Sequence, residues 1–441
     1  MKAPTRIIIF QFSTFATAFF IFHLPFANAQ SPITYDTHIQ PIIAQNCTPC
    51  HKVGGIGPFS LESYEDVAKR AEFIAKVTES RYMPPFPADK SFQHYANERG
   101  LKDEEIELIQ KWIQSPKSII SPPPSRRGSQ RSEVKKSEVQ KLPFRGGRGA
   151  FFSFKMQQPF IIPNTNEEEF RYFHVPTNLK KDIFVEAIEF LPGNRKILHH
   201  SRVMVDTSGR MSKIEGLKAD DHELSEFQKI PMSDQFLYGW VPGNDVIRFP
   251  KGIAKRVKAN ANLVMNLHYS PSSKIQTDQS RINFYTSKTK VEREVKSLLL
   301  TEENITNQPF LIKANTKPTF YMNYGPIKED MSAISILPHM HWLGKSIKAF
   351  AITPEGDLIP FVKIDNWDFN WQMTYQFKTL LFIPKGSVIL VEATFDNTSA
   401  NELNPSYPPK DVTYGWASTS EMLEMVIYYV PYRKGDELVK Q

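Results

Sequence analysis

The run Cys47-Thr48-Pro49-Cys50-His51 is the part of this sequence whose residue types and spacing point most directly to chemistry. A Cys-x-x-Cys-His run is the attachment site of a c-type haem, in which two thiols bond to the porphyrin edge and the adjacent imidazole ligates the iron. A chance match, a zinc site and a redox pair are the alternatives. The chain has only 2 cysteines in 441 residues, so all its thiols lie in this motif and no disulfide framework accompanies it. The motif predicts one covalently bound haem.

Iron held by His51 needs a second axial ligand or an open position. Met83 is the candidate, in the run Arg81-Tyr82-Met83-Pro84-Pro85. A thioether ligand raises the haem potential and is typical of an electron carrier. In the alternative arrangement Met83 packs against the haem edge, and His94 or His38 is the ligand.

A second constellation contains five of the 11 histidines. In the His-x-His pair His339-Met340-His341, strand alternation would place both histidines on one face, where both reach one metal ion. The adjacent His199 and His200 would point to opposite faces unless they lie at a strand end or a bulge. Imidazoles suit copper, zinc or iron, and an added thioether favours Cu(I). A single histidine is more often a hydrogen-bonded structural residue, but two clusters together indicate a metal site. The members are His199, His200, His268, His339 and His341.

The elements that would hold these groups differ along the chain. Residues 30–117 contain helical patterns, including the acidic start Asp103-Glu104-Glu105 followed by apolar residues at helical spacing, and fit a compact cytochrome c domain. From about residue 150, short β-branched and aromatic segments alternate with Pro-Gly turn signals, which indicates all-β sandwiches. We expect two of them, over 150–289 and 290–441.

The N-terminus predicts export. Lys2 and Arg6 precede an apolar stretch, and Ala27-Asn28-Ala29 is a small-x-small cleavage site, so residues 1–29 are predicted to be a secretory signal peptide. An uncleaved anchor helix is the alternative. No later run reaches the roughly 18 apolar residues of a membrane span, so no stable span is expected after cleavage. A bacterial periplasm suits c-type haem attachment.

The net charge of +7 does not indicate nucleic-acid binding. Residues 118–148 hold eight basic and two acidic residues, so nearly all of the excess lies in one Pro-, Ser- and Gly-containing segment. Such a composition cannot bury a core and predicts a linker over 118–149. Contact with anionic lipid or an acidic partner is the alternative to a solvated linker.

Residues 150–435 resemble the copper type II, ascorbate-dependent monooxygenases, the family of peptidylglycine α-hydroxylating monooxygenase and dopamine β-monooxygenase. The resemblance lies in the order of motifs: a His-His pair, a single His, a His-x-His pair followed by Leu343-Gly344-Lys345, and Glu421-Met422. The first 120 or so residues resemble bacterial cytochrome c domains. Together these resemblances imply a multidomain fold, with a small all-α cytochrome c domain followed by two tandem all-β jelly-roll sandwiches.

The resemblance also implies ligand roles. His199, His200 and His268 would hold an electron-transfer copper, and His339, His341 and Met422 would hold the catalytic copper that binds oxygen. Reduced copper there would activate O2, take a hydrogen atom from a substrate C–H bond and insert oxygen. Met425 is the rival thioether, but the Glu-Met match favours Met422.

Three departures from the family pattern concern the substrate. Leu337 stands where the peptide-hydroxylating relatives have an arginine that holds the substrate carboxylate, and Glu424 and Val426 replace their asparagine and tyrosine. A peptidylglycine substrate is therefore not expected.

The expectation is an exported copper-dependent monooxygenase that acts on a small molecule. An electron-donor protein or a small reductant would supply the electrons, which would pass through the c-type haem of this chain. The alternatives are an electron-transfer, sensor or copper-binding protein without oxygenase activity, or a zinc site on the same scaffold.

Overall fold

The structure is a computed structural model that describes residues 33–53, 55, 57–114, 150–218, 221–224, 236–241, 246–287, 289–415 and 418–441. The predicted signal peptide (1–29) and linker (118–149) lie outside the described residues. Within the described ranges, no helix has the length and apolar character needed to cross a membrane.

The α-helices of the described residues all lie near the N-terminus, and only short 3-10 turns occur later. A π-helical turn (Tyr35–Ile39) leads into α1 (Gln40–Asn46), α2 (Tyr64–Ala68), α3 (Ala71–Glu79) and α4 (Asp103–Gln114). Three acidic residues occupy the first turn of α4, where they interact favourably with the helix dipole, and its Ile109 and Trp112 are buried. These two side chains share a small core with Ile39 and Ile43, and Cys47 packs against it.

Twenty-three strands follow in the described residues, most of them with alternating or fully buried apolar residues. Those before residue 290 are β1 (Phe151–Lys155), β2 (Phe160–Ile162), β3 (Glu169–Pro176), β4 (Ile183–Leu191), β5 (Leu198–Asp206), β6 (Leu217–Lys218), β7 (Phe236–Trp240), β8 (Val246–Arg248), β9 (Ile253–Val257), β10 (Asn262–Tyr269), β11 (Gln276–Asp278) and β12 (Arg281–Thr286). The remainder are β13 (Arg293–Glu294), β14 (Lys296–Leu300), β15 (Leu311–Ile312), β16 (Thr319–Tyr324), β17 (Met331–Met340), β18 (Gly344–Ile352), β19 (Leu358–Ile364), β20 (Tyr375–Ile383), β21 (Val388–Phe395), β22 (Val412–Thr413) and β23 (Leu423–Pro431).

Most of the early strands form two sheets around one core, here called the first sheet pair. One sheet has the order β1-β12-β4-β9-β13 with β8 beside β4, and the other has the order β6-β3-β10-β5-β7. The β13–β9 pairing is parallel, whereas the neighbouring pairings are antiparallel. Apolar residues of both sheets, such as Phe190 and Leu263, meet in the shared core.

The later strands form the second sheet pair. Its sheets have the orders β14-β23-β17-β20 and β16-β21-β18-β19, and their core includes Ile336, Phe361 and Met425. A separate apolar cluster joins the two sheet pairs, with Phe236 and Phe249 from the first packing against Val426 and Tyr428 from the second. The two sheet pairs therefore share a buried interface.

The predicted fold class, a small all-α cytochrome c domain followed by two jelly-roll sandwiches, is wrong. The described residues are mostly β, with 40% strand and 14% helix, and their α-helical part is only a short N-terminal region. That region is not a separate all-α body, because Ala88 and Tyr95 are buried in the core of the second sheet pair. The first sheet pair has six and five strands with a parallel edge pairing, and not the two four-stranded antiparallel sheets of a jelly roll.

The reason for this error is a long-range contact. The irregular segment after α3 runs along β20: Tyr95 forms a bridge with Phe377, and the Ala96 amide donates to the Gln376 carbonyl at 2.7 Å. Helical periodicity in residues 30–117 carried no information about this pairing, because its partner lies at the other end of the sequence. The domain boundaries at 117, 149 and 289 stay predictions.

Candidate metal centres

Three histidines meet at one end of β5 and β10. One ring nitrogen from each of His199, His200 and His268 lies within 4.8 Å of the others. His200 is opposite His268 in the β5–β10 ladder, and the next pair is Leu198 with Tyr269, so His199 is the extra residue of a β-bulge. The bulge turns His199 to the same side as His200, which a regular strand would forbid.

The Nδ1 atoms of this cluster converge. His200 Nδ1 lies 3.2 Å from His199 Nδ1 and 3.3 Å from His268 Nδ1. The opposite nitrogens face oxygen atoms: His199 Nε2 is 2.7 Å from Asn370 Oδ1, and His268 Nε2 is 3.5 Å from Glu168 Oε1. Metal-bound histidines almost always donate their other N–H to a protein oxygen, as His199 can to Asn370, whereas His268 Nε2 forms no hydrogen bond in the described residues although Glu168 lies near it. The cluster therefore fits a metal ion held by three Nδ1 atoms.

The electrostatics of the cluster favour the ligand form of histidine. Burial, together with the neighbouring His268, lowers the pKa of His199 to about 4. Burial also lowers the pKa of His200 and of His268. Because only a neutral imidazole has a lone pair to give, low pKa values keep the three side chains ready to bind a metal at neutral pH.

The His-x-His pair lies at the end of β17 and faces the end of β23. The ring centroids of His339 and His341 are 5.1 Å apart. His341 Nδ1 is 2.9 Å from the Ser420 carbonyl oxygen, and His339 Nδ1 contacts Gln372 Oε1. Both Nδ1 atoms thus have protein partners, which leaves the Nε2 atoms for a ligand. His339 Nε2 is a buried polar atom without a hydrogen-bond partner in the described residues.

Met422 lies on the same side of the sheet as these histidines. The β17–β23 ladder pairs His339 with Glu424 and ends with the pair Met340–Leu423, and continuing it by one residue would place Met422 opposite His341. Arg202 of the first sheet pair contacts the sulfur of Met422 at 3.9 Å and Glu424 at 2.9 Å. The rival thioether, Met425, is buried in the core on the other face. Met425 is thus committed to the core of the second sheet pair, whereas Met422 lies outside that cluster, and its role as a metal ligand stays a prediction.

A buried carboxyl group joins the two strands of this second set. Glu421 accepts hydrogen bonds from the backbone N–H of His341 at 2.8 Å, of Leu343 at 2.6 Å and of Met422 at 3.2 Å. Burial raises the pKa of Glu421 to about 8, although these three bonds act in the opposite direction. Glu421 fixes the backbone that carries His341 and Met422.

One segment between β19 and β20 separates the two histidine sets. The ring of Phe369 has its centroid 5.5 Å from His199, 5.9 Å from His268 and 5.7 Å from His341. Asn370 and Gln372, on either side of Trp371, contact His199 and His339 respectively. We call residues 366–373 the bridging segment. Sequence reasoning missed it, and its only signal was an unusual density of aromatic and amide side chains.

A cavity opens between the two histidine sets. Its polar side is formed by His200, Ser201, Arg202, His339, Gln372 and Glu424. Its apolar side is formed by Phe236, Gly239, Trp240, Val241, Leu337 and Val426. The three positions at which the sequence departs from the peptide-hydroxylating pattern, Leu337, Glu424 and Val426, all line this cavity.

The predicted haem-attachment residues lie beside the helical core. Cys47 and Cys50 form no disulfide, and burial raises the pKa of Cys47 to about 12. His51 Nδ1 is 3.1 Å from the Phe59 carbonyl oxygen, a partner typical of an iron-ligating histidine. A Cβ on Gly57 would lie 2.5 Å from His51 Nδ1, so the chain passes this ring where only glycine fits. These features fit a haem held by His51.

Met83 lines a cavity of about 330 Å³ next to this core, together with Phe86, Leu101 and Ile106. The rival axial ligands have local partners. His38 Nδ1 accepts from the Thr34 amide at 3.1 Å, and His94 Nδ1 is 2.9 Å from Glu98 Oε1. The cavity is also lined by Arg81, Lys90 and Arg99 and by none of the haem-attachment residues, so Met83 as the second axial ligand stays a prediction.

Comparison with known proteins identifies no relative. No protein-family model and no curated protein matches the sequence. Among solved structures, the major capsid protein P2 of bacteriophage PM2 is 8% identical and has a TM-score of 0.27, over 65% of this chain and 100% of that one. An allantoicase is 9% identical with a TM-score of 0.16, over 54% of this chain and 80% of that one. TM-scores this low do not establish a shared fold.

Proposed function

We propose that this chain is an exported copper-dependent monooxygenase that hydroxylates a C–H bond of a small molecule with O2, with electrons delivered through its own c-type haem. The observation that carries the proposal is the pairing of two different ligand sets across one cavity. One set offers three convergent Nδ1 atoms, and the other offers two Nε2 atoms and a thioether.

The two sets suit different tasks. The first set would hold a metal ion that changes its oxidation state without binding the substrate. Its ligands would be the imidazoles of His199, His200 and His268. His339 and His341 with the softer sulfur of Met422 would favour Cu(I), and His339 lines the cavity. Copper in these sites would supply one-electron redox chemistry and the activation of O2. The remaining side chains hold the ligands in place and exclude water.

Cys47 and Cys50 would bond to the haem, and His51 would ligate its iron, with Met83 as the second axial ligand. A thioether at that position raises the potential and suits an electron carrier. Since inserting one atom of O2 and reducing the other to water consumes two electrons beyond those of the substrate, a haem fused to the same chain is a suitable inlet. An external donor protein or a small reductant would reduce the haem again after each electron transfer.

Metal content and oxygen uptake test the proposal. We expect two coppers and one iron per chain in the purified holoprotein, and oxygen uptake with reductant that is lost in His339→Ala. Stopped-flow reduction of the haem followed by copper EPR should show Cu(II) reduced in the same molecule. Zinc alone in the protein would reject the proposal.

A second candidate function is metal binding without oxygen chemistry. The observation that favours it is the three-histidine cluster itself, because three neutral imidazoles equally suit zinc. Two coppers with no oxygen uptake in the presence of reduced haem and a range of small organic molecules would support this alternative.

A further inference from the structure

We infer that the cavity between the two histidine sets selects a small, uncharged and largely apolar molecule as the substrate. That the bound molecule is a substrate rests on the proposed function. The binding preference itself follows from the walls of the cavity. The cavity contains about 40 Å³ of space, enough for about three water-sized molecules, so it suits a ligand of only a few heavy atoms.

The charged groups of the cavity neutralise each other. Arg202 and Glu424 form an ion pair with N–O distance 2.9 Å, and their side chains are only 12% and 3% exposed. A ligand carboxylate would have to compete with Glu424 for the guanidinium, and a ligand ammonium would have to compete with Arg202 for the carboxylate. An ionic ligand would therefore have to break this buried pair and leave one of its two charges without a partner, which is unfavourable.

Gln372, a further polar side chain of the wall, also has partners. Its Oε1 contacts His339 Nδ1, and its Nε2 donates to the Phe369 carbonyl at 2.9 Å. Besides His339 Nε2, the Ser201 hydroxyl is the lining side-chain atom that is buried without a hydrogen-bond partner in the described residues. The wall can therefore satisfy about one hydroxyl-sized polar group, and a ligand with several polar atoms would leave most of them buried and unsatisfied.

The rest of the wall is apolar and closely fitted. Leu337 and Val426 come from β17 and β23, and Phe236 and Trp240 come from β7. A Cβ on Gly239 would lie 3.1 Å from Leu337 Cδ2 and 3.4 Å from Phe236 Cζ. The missing side chain at Gly239 thus keeps open the space between these two residues, and a larger residue there would fill it.

The cavity also lies beside a candidate ligand of the catalytic copper. His339 lines it, and its Nε2 is buried without a partner among the described residues. A molecule held against Leu337 and Val426 therefore lies beside the histidine that we propose as a ligand of the catalytic copper.

Three probes of matched size test the charge preference: 2-methylpropan-1-ol, 2-methylpropanoate and 2-methylpropylammonium. Their dissociation constants for the metal-loaded protein are measured by calorimetry without O2 or reductant. We expect the neutral alcohol to bind at least tenfold more tightly than either ion. Equal or tighter binding of one ion would overturn the inference.

Two cavity variants locate the site. Gly239→Leu should weaken binding of the alcohol at least tenfold, and Val426→Ala should tighten binding of the longer 3-methylbutan-1-ol several-fold. Leu403→Ala, at a residue 50% exposed, is the control and should change neither value. Unchanged binding in both cavity variants would reject the site. Since these titrations need no turnover, failure of the proposed function would show in metal analysis and oxygen uptake instead.

Discussion

At the scale of single residues, the candidate metal centres depend on side chains that bind no metal themselves. His199 is oriented by Asn370, His339 by Gln372, and the backbone of His341 by Glu421. Each of these partners selects which ring nitrogen is free, or where the ring is held. The ligand types alone would not fix this geometry.

The contact between Asn370 and His199 gives the first prediction. Asn370→Ala should lower the metal affinity of the three-histidine cluster about 10- to 100-fold, because His199 loses the partner that orients its ring. Competition with a chelator of known affinity measures this. Asn323→Ala, at an exposed asparagine of β16, is the control. Equal affinities for Asn370→Ala and the unmodified protein would contradict an orienting role.

The low pKa values of the cluster predict a pH dependence of the metal-free protein. His199 has its pKa lowered to about 4 in the folded chain, whereas an unfolded histidine titrates near 6.5. Between these pH values the unfolded state binds more protons, so stability falls as pH decreases, by up to about 1.4 kcal/mol per pH unit for each such histidine. Above about pH 6.5 the effect should vanish.

Urea unfolding of the metal-free protein at pH 7 and pH 5 measures this slope. His199→Gln should have a shallower dependence, because one titrating group is removed. A slope unchanged by the substitution would show that other groups cause the acid sensitivity.

The residue types of the metal ligands could be predicted from sequence, but their partners could not. His-His, His-x-His and Glu-Met are visible as local patterns. Asn370, Gln372 and Phe369 reach the histidines only because β19 and β20 bring the bridging segment between the sheet pairs. A contact between positions so distant in the chain leaves no periodic signal in one sequence.

At the scale of elements, one bulge and one connecting segment build the site. The bulge at His199 turns two adjacent histidines toward one point, as the sequence required if both were to reach one metal. The bridging segment then places the Phe369 ring against both sets. The two sets are thereby coupled through a single buried aromatic side chain.

Phe369→Ala should therefore disturb both sets at once. The side chain is 2% exposed, and removing it should destabilise the protein by about 3–5 kcal/mol and weaken metal binding at both sites. Phe361→Ala is the matched control, because Phe361 is equally buried but lies in the core of the second sheet pair. It should lose similar stability and keep its metal affinities. Equal metal affinities in the two variants would contradict the coupling.

At the scale of the whole molecule, the helical region is attached to the β part through side chains as well as through the chain. Tyr95 is 1% exposed in the core of the second sheet pair, and its hydroxyl donates to the Phe361 carbonyl at 2.8 Å. The rings of Phe86 and Tyr375 lie 5.9 Å and 5.1 Å from it. The strand-rich texture after residue 150 was visible in the sequence, but this attachment was not.

Because the predicted haem region docks on the sheet pair that carries His339 and His341, its position depends on Tyr95. Tyr95→Ala should remove a buried aromatic anchor, with a cost of about 3–5 kcal/mol to the docking. The segment between α3 and α4 should then become open to proteases while the β part stays resistant. Limited proteolysis with mass spectrometry measures this, and Tyr407→Ala, at a residue 89% exposed, is the control. If Tyr95→Ala is cut no faster than Tyr407→Ala, the helical region is held mainly by other contacts, such as the ion pair of Asp89 with Lys363 at 3.0 Å.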